Sequence, residues 1–146
     1  MQTAPKFEFP LGPWRYWSAG KNGHGRAVRF CWSSRANDLG YYVGWREVDG
    51  PETKTGGQVQ IRERVCRRKR KDVADWAKEK AEAYLAAQFE RVGTPFSVTL
   101  ETRRVTKVEL TRWMRLSGYT TPFTIAAGRY AFADQTIADH FLYAFR

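Results

Sequence analysis

"DVADWAKEKAEAYLAAQFERVGTP", residues 72–95, decides what the rest of the chain must supply. Val73, Trp76, Ala77, Ala81, Tyr84, Leu85 and Phe89 recur at spacings of three and four, which lays one apolar stripe along a helix. Asp72 suits the N-cap, and Asp75 puts negative charge in the first turn, where the helix dipole favours it. Gly93 fits the residue just past the end, and Pro95 forbids continuation. The pattern predicts a helix over 73–92. Its stripe needs an apolar surface to cover.

Upstream, the chain offers a sheet. After a proline-broken lead-in over residues 1–13, "WRYWSAGKNGHGRAVRFCWSS" reads as two strands around a glycine-rich loop, Gly20 to Gly25. Val28, Phe30 and Trp32 alternate with Arg29, Cys31 and Ser33, the period of a half-buried strand. In "YYVGWREV", Tyr41, Val43 and Trp45 share one face, and Tyr42, Arg46 and Val48 the other. "DGPETKTGG", residues 49–57, is expected to be a loop. In "QVQIRERVCR", Val59, Ile61 and Val65 are expected on one side, with Gln60, Arg62, Arg64 and Cys66 on the other.

Downstream, "PFSVTLETRRV" reads as a strand. Thr106 and Glu109 form a capping box, with Val105 and Leu110 placed as a hydrophobic staple, so a helix starts there and stops before Gly118. "TPFTIAAGRYAFA" predicts a hairpin turning at Ala127-Gly128, and Asp134 caps a last helix. The expected class is α+β: an antiparallel sheet packed by the long helix, about 73–92, with shorter helices at about 107–117 and 134–145. A chain of 146 residues fits one compact domain, with possible sub-modules at 14–92 and 93–146.

Charge narrows the function. The formal net charge is +10, and residues 62–71 alone, with seven basic side chains and one acidic, carry +6. This is a patch on an otherwise mixed surface. Polyanions are the partners it favours, with anionic membranes and acidic proteins behind. No apolar run approaches the roughly 20 residues of a membrane helix. "MQTAPKFEFPLGPWRYW" lacks the apolar region of a signal peptide, and Cys31 and Cys66 are isolated, so a cytoplasmic setting with free, packed thiols is expected.

Catalytic patterns are missing. "GKNGHG" lacks what a phosphate-cradling P-loop requires, and the two Cys and two His are not paired at zinc-ligand spacing. Asp38, Glu47, Asp49 and Glu101 are not spaced as a metal-dependent nuclease would demand. His24, in the glycine-rich loop, is the better placed histidine for acid–base work, which keeps a small ribonuclease as a third reading. We therefore expect no catalytic residue, no metal and no cofactor.

The binding candidates are Arg62, Arg64, Arg67, Arg68, Lys69, Arg70 and Lys71, with Arg29, Tyr42 and Arg46 beside them. Five of the seven cations in the run are arginines, which can hold phosphate in two-point contacts and read guanine edges. Arg70 and Lys71 precede a helix N-terminus, whose dipole repels cations. A bound phosphate would relieve that conflict.

Residues 40–88, through Y-x-V-x-W-R from Tyr41 to Arg46, the basic strand and the "KDVADWA" helix start, resemble the N-terminal arm-type DNA-binding domain of phage tyrosine integrases. The resemblance implies a three-stranded antiparallel sheet backed by one helix, with the sheet entering the major groove. Tyr42, Arg46, Arg62 and Arg64 would then lie on the DNA-facing side. The Asp49–Gly57 loop departs from that pattern, and the second half lacks the recombinase Arg, His-x-x-Arg and Tyr residues. The expectation is a nucleic-acid-binding protein, DNA favoured over RNA. The alternative is a binder of an acidic or nucleic-acid-binding protein, such as a phage-encoded inhibitor or a virion component, with Trp14, Tyr16 and Trp17 as anchors.

Overall fold

The computed structural model describes residues 14–36, 39–52, 58–68 and 72–146, with the backbone alone for 51–52 and 58–68. The expected lead-in, residues 1–13, lies outside the described residues. The chain is α+β. Its elements run β1 (Trp14–Lys21), β2 (Ala27–Ser33), β3 (Tyr42–Glu52), β4 (Gln58–Arg68), α1 (Val73–Arg91), β5 (Phe96–Thr99), α2 (Lys107–Leu116), β6 (Phe123–Ala126), β7 (Arg129–Phe132) and α3 (Gln135–Phe145). All three predicted helices form within a residue or so of their expected ends. Where one domain is expected, with a possible division after residue 92, the chain forms two compact units, Met1–Ala83 and Tyr84–Arg146. The division falls inside α1, because both halves of its apolar stripe are buried: Val73, Ala77 and Ala81 in the first unit, Leu85 and Phe89 in the second.

In the first unit the four strands form an antiparallel sheet in the order β1-β2-β3-β4. Period-two alternation sorts its residues onto two faces. One face is covered by α1: Phe30 meets Trp76 edge-on, with centroids 6.2 Å apart and planes at 74°. Val28 and Val48 pair on this face and are buried. Cys31, Val43 and Trp45 form a buried cluster on the opposite face. The β1–β2 loop is organised by Asn22, whose Oδ1 accepts from the backbone N–H groups of His24 (2.9 Å) and Arg26 (3.0 Å).

Two expectations about β3 and β4 are corrected. The loop expected over 49–57 is shorter at its start, since β3 continues to Glu52. The pairing shifts between Asp49 and Glu52, a bulge that accommodates Gly50-Pro51, and bulges are where a strand tolerates proline. The alternation expected to keep Arg62, Arg64 and Cys66 together also breaks. Arg46 pairs with Glu63 but Gly44 pairs with Cys66, which leaves one extra residue in β4. Arg62 is in register with Glu47 and Cys66 with Gly44, positions on opposite faces of β3.

In the second unit β7 is central, in the order β5-β7-β6. Phe132 lies opposite both Phe96 and Phe123. Val105, Leu110, Met114, Tyr130, Phe132, Ile137, Ala138 and Phe141 form the core, so both residues of the predicted staple are buried in it. The N-cap half of the expected box forms: Thr106 Oγ1 accepts from Glu109 N at 3.1 Å, and its hydroxyl donates to Glu109 Oε1 at 3.3 Å. Asp134 caps α3 by accepting from Ile137 N at 2.9 Å.

Both α1 and α2 end in the same way. Gly93 (φ 81°) and Gly118 (φ 79°) take the left-handed conformation, and the following residues close six-to-one bonds, Thr94 N to Phe89 O at 2.8 Å and Tyr119 N to Met114 O at 2.9 Å. The β6–β7 hairpin turns at Ala127 and Gly128, both with positive φ (50° and 75°), as a two-residue turn with the strand-matching twist requires.

Candidate nucleic-acid interface

The basic run begins on a strand. Arg62, Arg64, Arg67 and Arg68 belong to β4, which is the edge of the four-stranded sheet. Lys69, Arg70 and Lys71 lie outside the described residues, and Asp72 follows, its carbonyl accepting from Trp76 N at 3.0 Å to begin the first turn of α1. In sequence, an edge strand is thus followed closely by a helix N-terminus. That terminus supplies unpaired N–H groups and the positive end of a dipole, a combination suited to phosphate.

The three candidates outside the run do not share a face. Arg46 is paired with Phe30, which packs on Trp76, and Gly44 beside it lies against Trp76 and Val73. Tyr42 and Arg46 therefore occupy the side of β3 covered by α1, where the integrase resemblance would have had them on the open side. The cause is the sheet's own parity: Gly44 leaves the hollow that Trp76 fills, and residues 42 and 46 share its face.

Arg29 lies on the opposite face, within an ion-pair network. Its Nη2 is 2.6 Å from Asp49 Oδ1 and 4.0 Å from Glu47 Oε1. Glu47 is buried, and its Oε2 accepts from Trp45 Nε1 at 3.2 Å and from Cys31 Sγ at 3.5 Å. Burial alone would lower the Arg29 pKa. The hydrogen bond and charge of Asp49, joined by the charge of Glu47, outweigh it, so the pKa is raised and the guanidinium stays charged. Its charge is directed to carboxylates within the sheet. Arg29 also sits 5.8 Å from the centre of the Tyr16 ring. Glu47 and Asp49 were missed as its partners, although strand parity carried the signal: both alternate onto the face of β3 that meets Arg29.

The first strand carries three exposed aromatics. Trp14, Tyr16 and Trp17 are 42%, 58% and 46% exposed, enough for each to meet a partner. Trp17 lies over Trp32 at 6.4 Å with planes 21° apart, and Lys78 Nζ is 5.8 Å from the Trp17 ring centre. His24 sits exposed in the loop between β1 and β2. His140 on α3 is bonded through Nδ1 to the Tyr119 hydroxyl at 2.7 Å and stacked edge-on with Trp113. Among the described residues no group of three His, Cys, Asp or Glu side chains is placed to hold a metal ion, and no helix is long and apolar enough to cross a membrane. Compared with protein-family models, curated proteins and solved structures, the chain matches none.

Proposed function

We propose that this protein binds nucleic acid, duplex DNA in particular, through the basic run Arg62–Lys71, as a module of phage or mobile-element type that performs no catalysis. One observation supports the reading above the others. The densest charge in the sequence, +6 in ten residues, begins on an edge strand with Arg62–Arg68 and ends, in sequence, just before α1. An edge strand is open along one side, and a duplex backbone presents a line of phosphates to match it. Each phosphate neutralised releases counterions, so binding through seven cations falls steeply with salt. Arg29, held by Asp49, contributes through the sheet's rigidity more than through its charge.

Reversing the charge of Arg67, Arg68 and Arg70 together tests the reading. Gel shifts on random DNA should be lost while far-ultraviolet circular dichroism is unchanged. Retained binding by a folded variant would refute the site.

A second reading is favoured by the three exposed rings of β1: a protein partner, acidic or itself nucleic-acid-binding, anchored on Trp14, Tyr16 and Trp17. Salt-dependent gel shifts on random DNA and RNA separate the two, because a protein-directed surface would leave both nucleic acids unshifted.

A further inference from the structure

The second unit carries its own concentration of positive charge. Of the seven basic residues in 93–146, five fall between Arg103 and Arg115. The structure sets them around one helix. On α2, Lys107, Thr111 and Arg115 follow one another at every fourth residue, with Val108 and Arg112 alongside, and all five are exposed. Leu110 and Met114, on the other side, are buried in the core. Arg103 and Arg104 precede the helix and line a hollow of about 820 Å³ together with Lys107, Ile125 and Gly128 of the β6–β7 hairpin. Lys107 also borders the shallower groove formed by Val108, Thr111, Arg112 and Arg115, so the cationic surface is continuous.

The pairing of these charges is informative. Arg103 is held by Glu109, Nη2 to Oε2, at 3.2 Å. Glu109 in turn is committed to the Thr106 cap. Among the described residues, Arg104, Lys107, Arg112 and Arg115 are held by no carboxylate, in contrast to Arg29. Four cations without an ion-pair partner lie on and beside a ten-residue helix, next to an exposed Val108 (78% accessible), and their excess over the two nearby carboxylates, Glu101 and Glu109, leaves this surface net positive. A polyanion would offset that excess.

We infer that α2 is a second nucleic-acid contact, lying in the groove of a DNA duplex with Lys107, Arg112 and Arg115 on phosphates and Thr111 and Val108 toward base edges. The inference rests on the nucleic-acid reading above but not on the basic run. The dimensions suit it. Ten residues of helix span roughly 15 Å, and a major groove about 12 Å wide admits an α-helix. Thr can hydrogen-bond base edges, and an aliphatic side chain can meet a thymine methyl.

The test compares two triple variants of the full chain on a random-sequence DNA duplex of about 20 base pairs, long enough for roughly two helical turns. One is Lys107→Gln, Arg112→Gln, Arg115→Gln. The other, Arg35→Gln, Lys80→Gln, Arg91→Gln, removes the same charge from exposed positions outside Arg103–Arg115. The first should bind at least about ten-fold more weakly at moderate salt and flatten the logarithmic salt slope by about 3, at roughly 0.9 per lost phosphate contact. The second should bind within about two-fold of the parent, because it leaves every cation of the proposed contact in place. Equal losses in both variants would overturn the inference, as would an unaltered first variant, or a parent that binds the separated single strands as tightly as the duplex. If the Arg67, Arg68 and Arg70 reversals abolish binding and the α2 variant does not, the basic run stands and this contact falls. The opposite pattern leaves α2 and removes the run.

Discussion

Gly44 lies directly beneath the Trp76 indole: a Cβ at residue 44 would come within 2.6 Å of Cζ3 and 2.7 Å of Cε3, and within 2.8 Å of Val73 Cγ2. A helix can approach β3 this closely only where the strand has no side chain. Gly44→Ala should therefore destabilise the protein by about 1–3 kcal/mol, the usual cost of overpacking. Thermal or urea unfolding reads the loss, and pairing the change with Trp76→Leu should recover part of it. A neutral Gly44→Ala would mean that α1 does not seat on the sheet here.

The Glu47 carboxylate is the acceptor for two groups that have little access to water. Glu47→Ala leaves the buried Trp45 indole N–H without this acceptor and removes a charge near Arg29, at a cost of about 1–3 kcal/mol in unfolding free energy. Glu47→Gln, which keeps an acceptor oxygen, should cost less. Equal losses from the two substitutions would show that the carbonyl oxygen plays no part.

Ala127 holds a left-handed conformation in the β6–β7 turn, where Asn-Gly is the preferred pair. Ala127→Asn should raise stability by up to about 1 kcal/mol, the scale of left-handed strain for a residue with a Cβ. A lower melting temperature would argue against this turn.

The caps of the second unit are open to the same kind of measurement. Thr106→Ala and Asp134→Ala each remove the side-chain acceptor of a helix N-terminus and should each cost about 1 kcal/mol. The two caps sit on different helices, so the double variant should show nearly the sum.

What could be read from the residues alone followed from local physics. Periodicity and caps located α1, α2 and α3, and Ala127-Gly128 located the hairpin, because neighbouring side chains determine those features. The alternation in β2 and in β3 up to Val48 was legible for the same reason. What failed depended on pairing with another strand. The extra residue in β4 opposite Gly44–Arg46, and the bulge that carries Pro51 into β3, leave no mark on a single strand's pattern. The seating of Trp76 on Gly44 is likewise a tertiary event, and it put Tyr42 and Arg46 under the helix. Arg29 looked like a free cation until register brought Asp49 within 2.6 Å of it. The charge around α2 was countable in the sequence, but which of those cations lacked a carboxylate was not.

The salt dependence of duplex binding tests the central claim most directly. Plotted as log of affinity against log of salt, the parent protein should fall with a slope of about −6 or steeper, the value seven neutralised phosphates impose at roughly 0.9 each. Reversal of Arg67, Arg68 and Arg70 should abolish that binding or flatten the slope by at least about 3. A parent that does not bind duplex DNA even at low salt, or a folded triple variant with the parent's slope, would contradict the account.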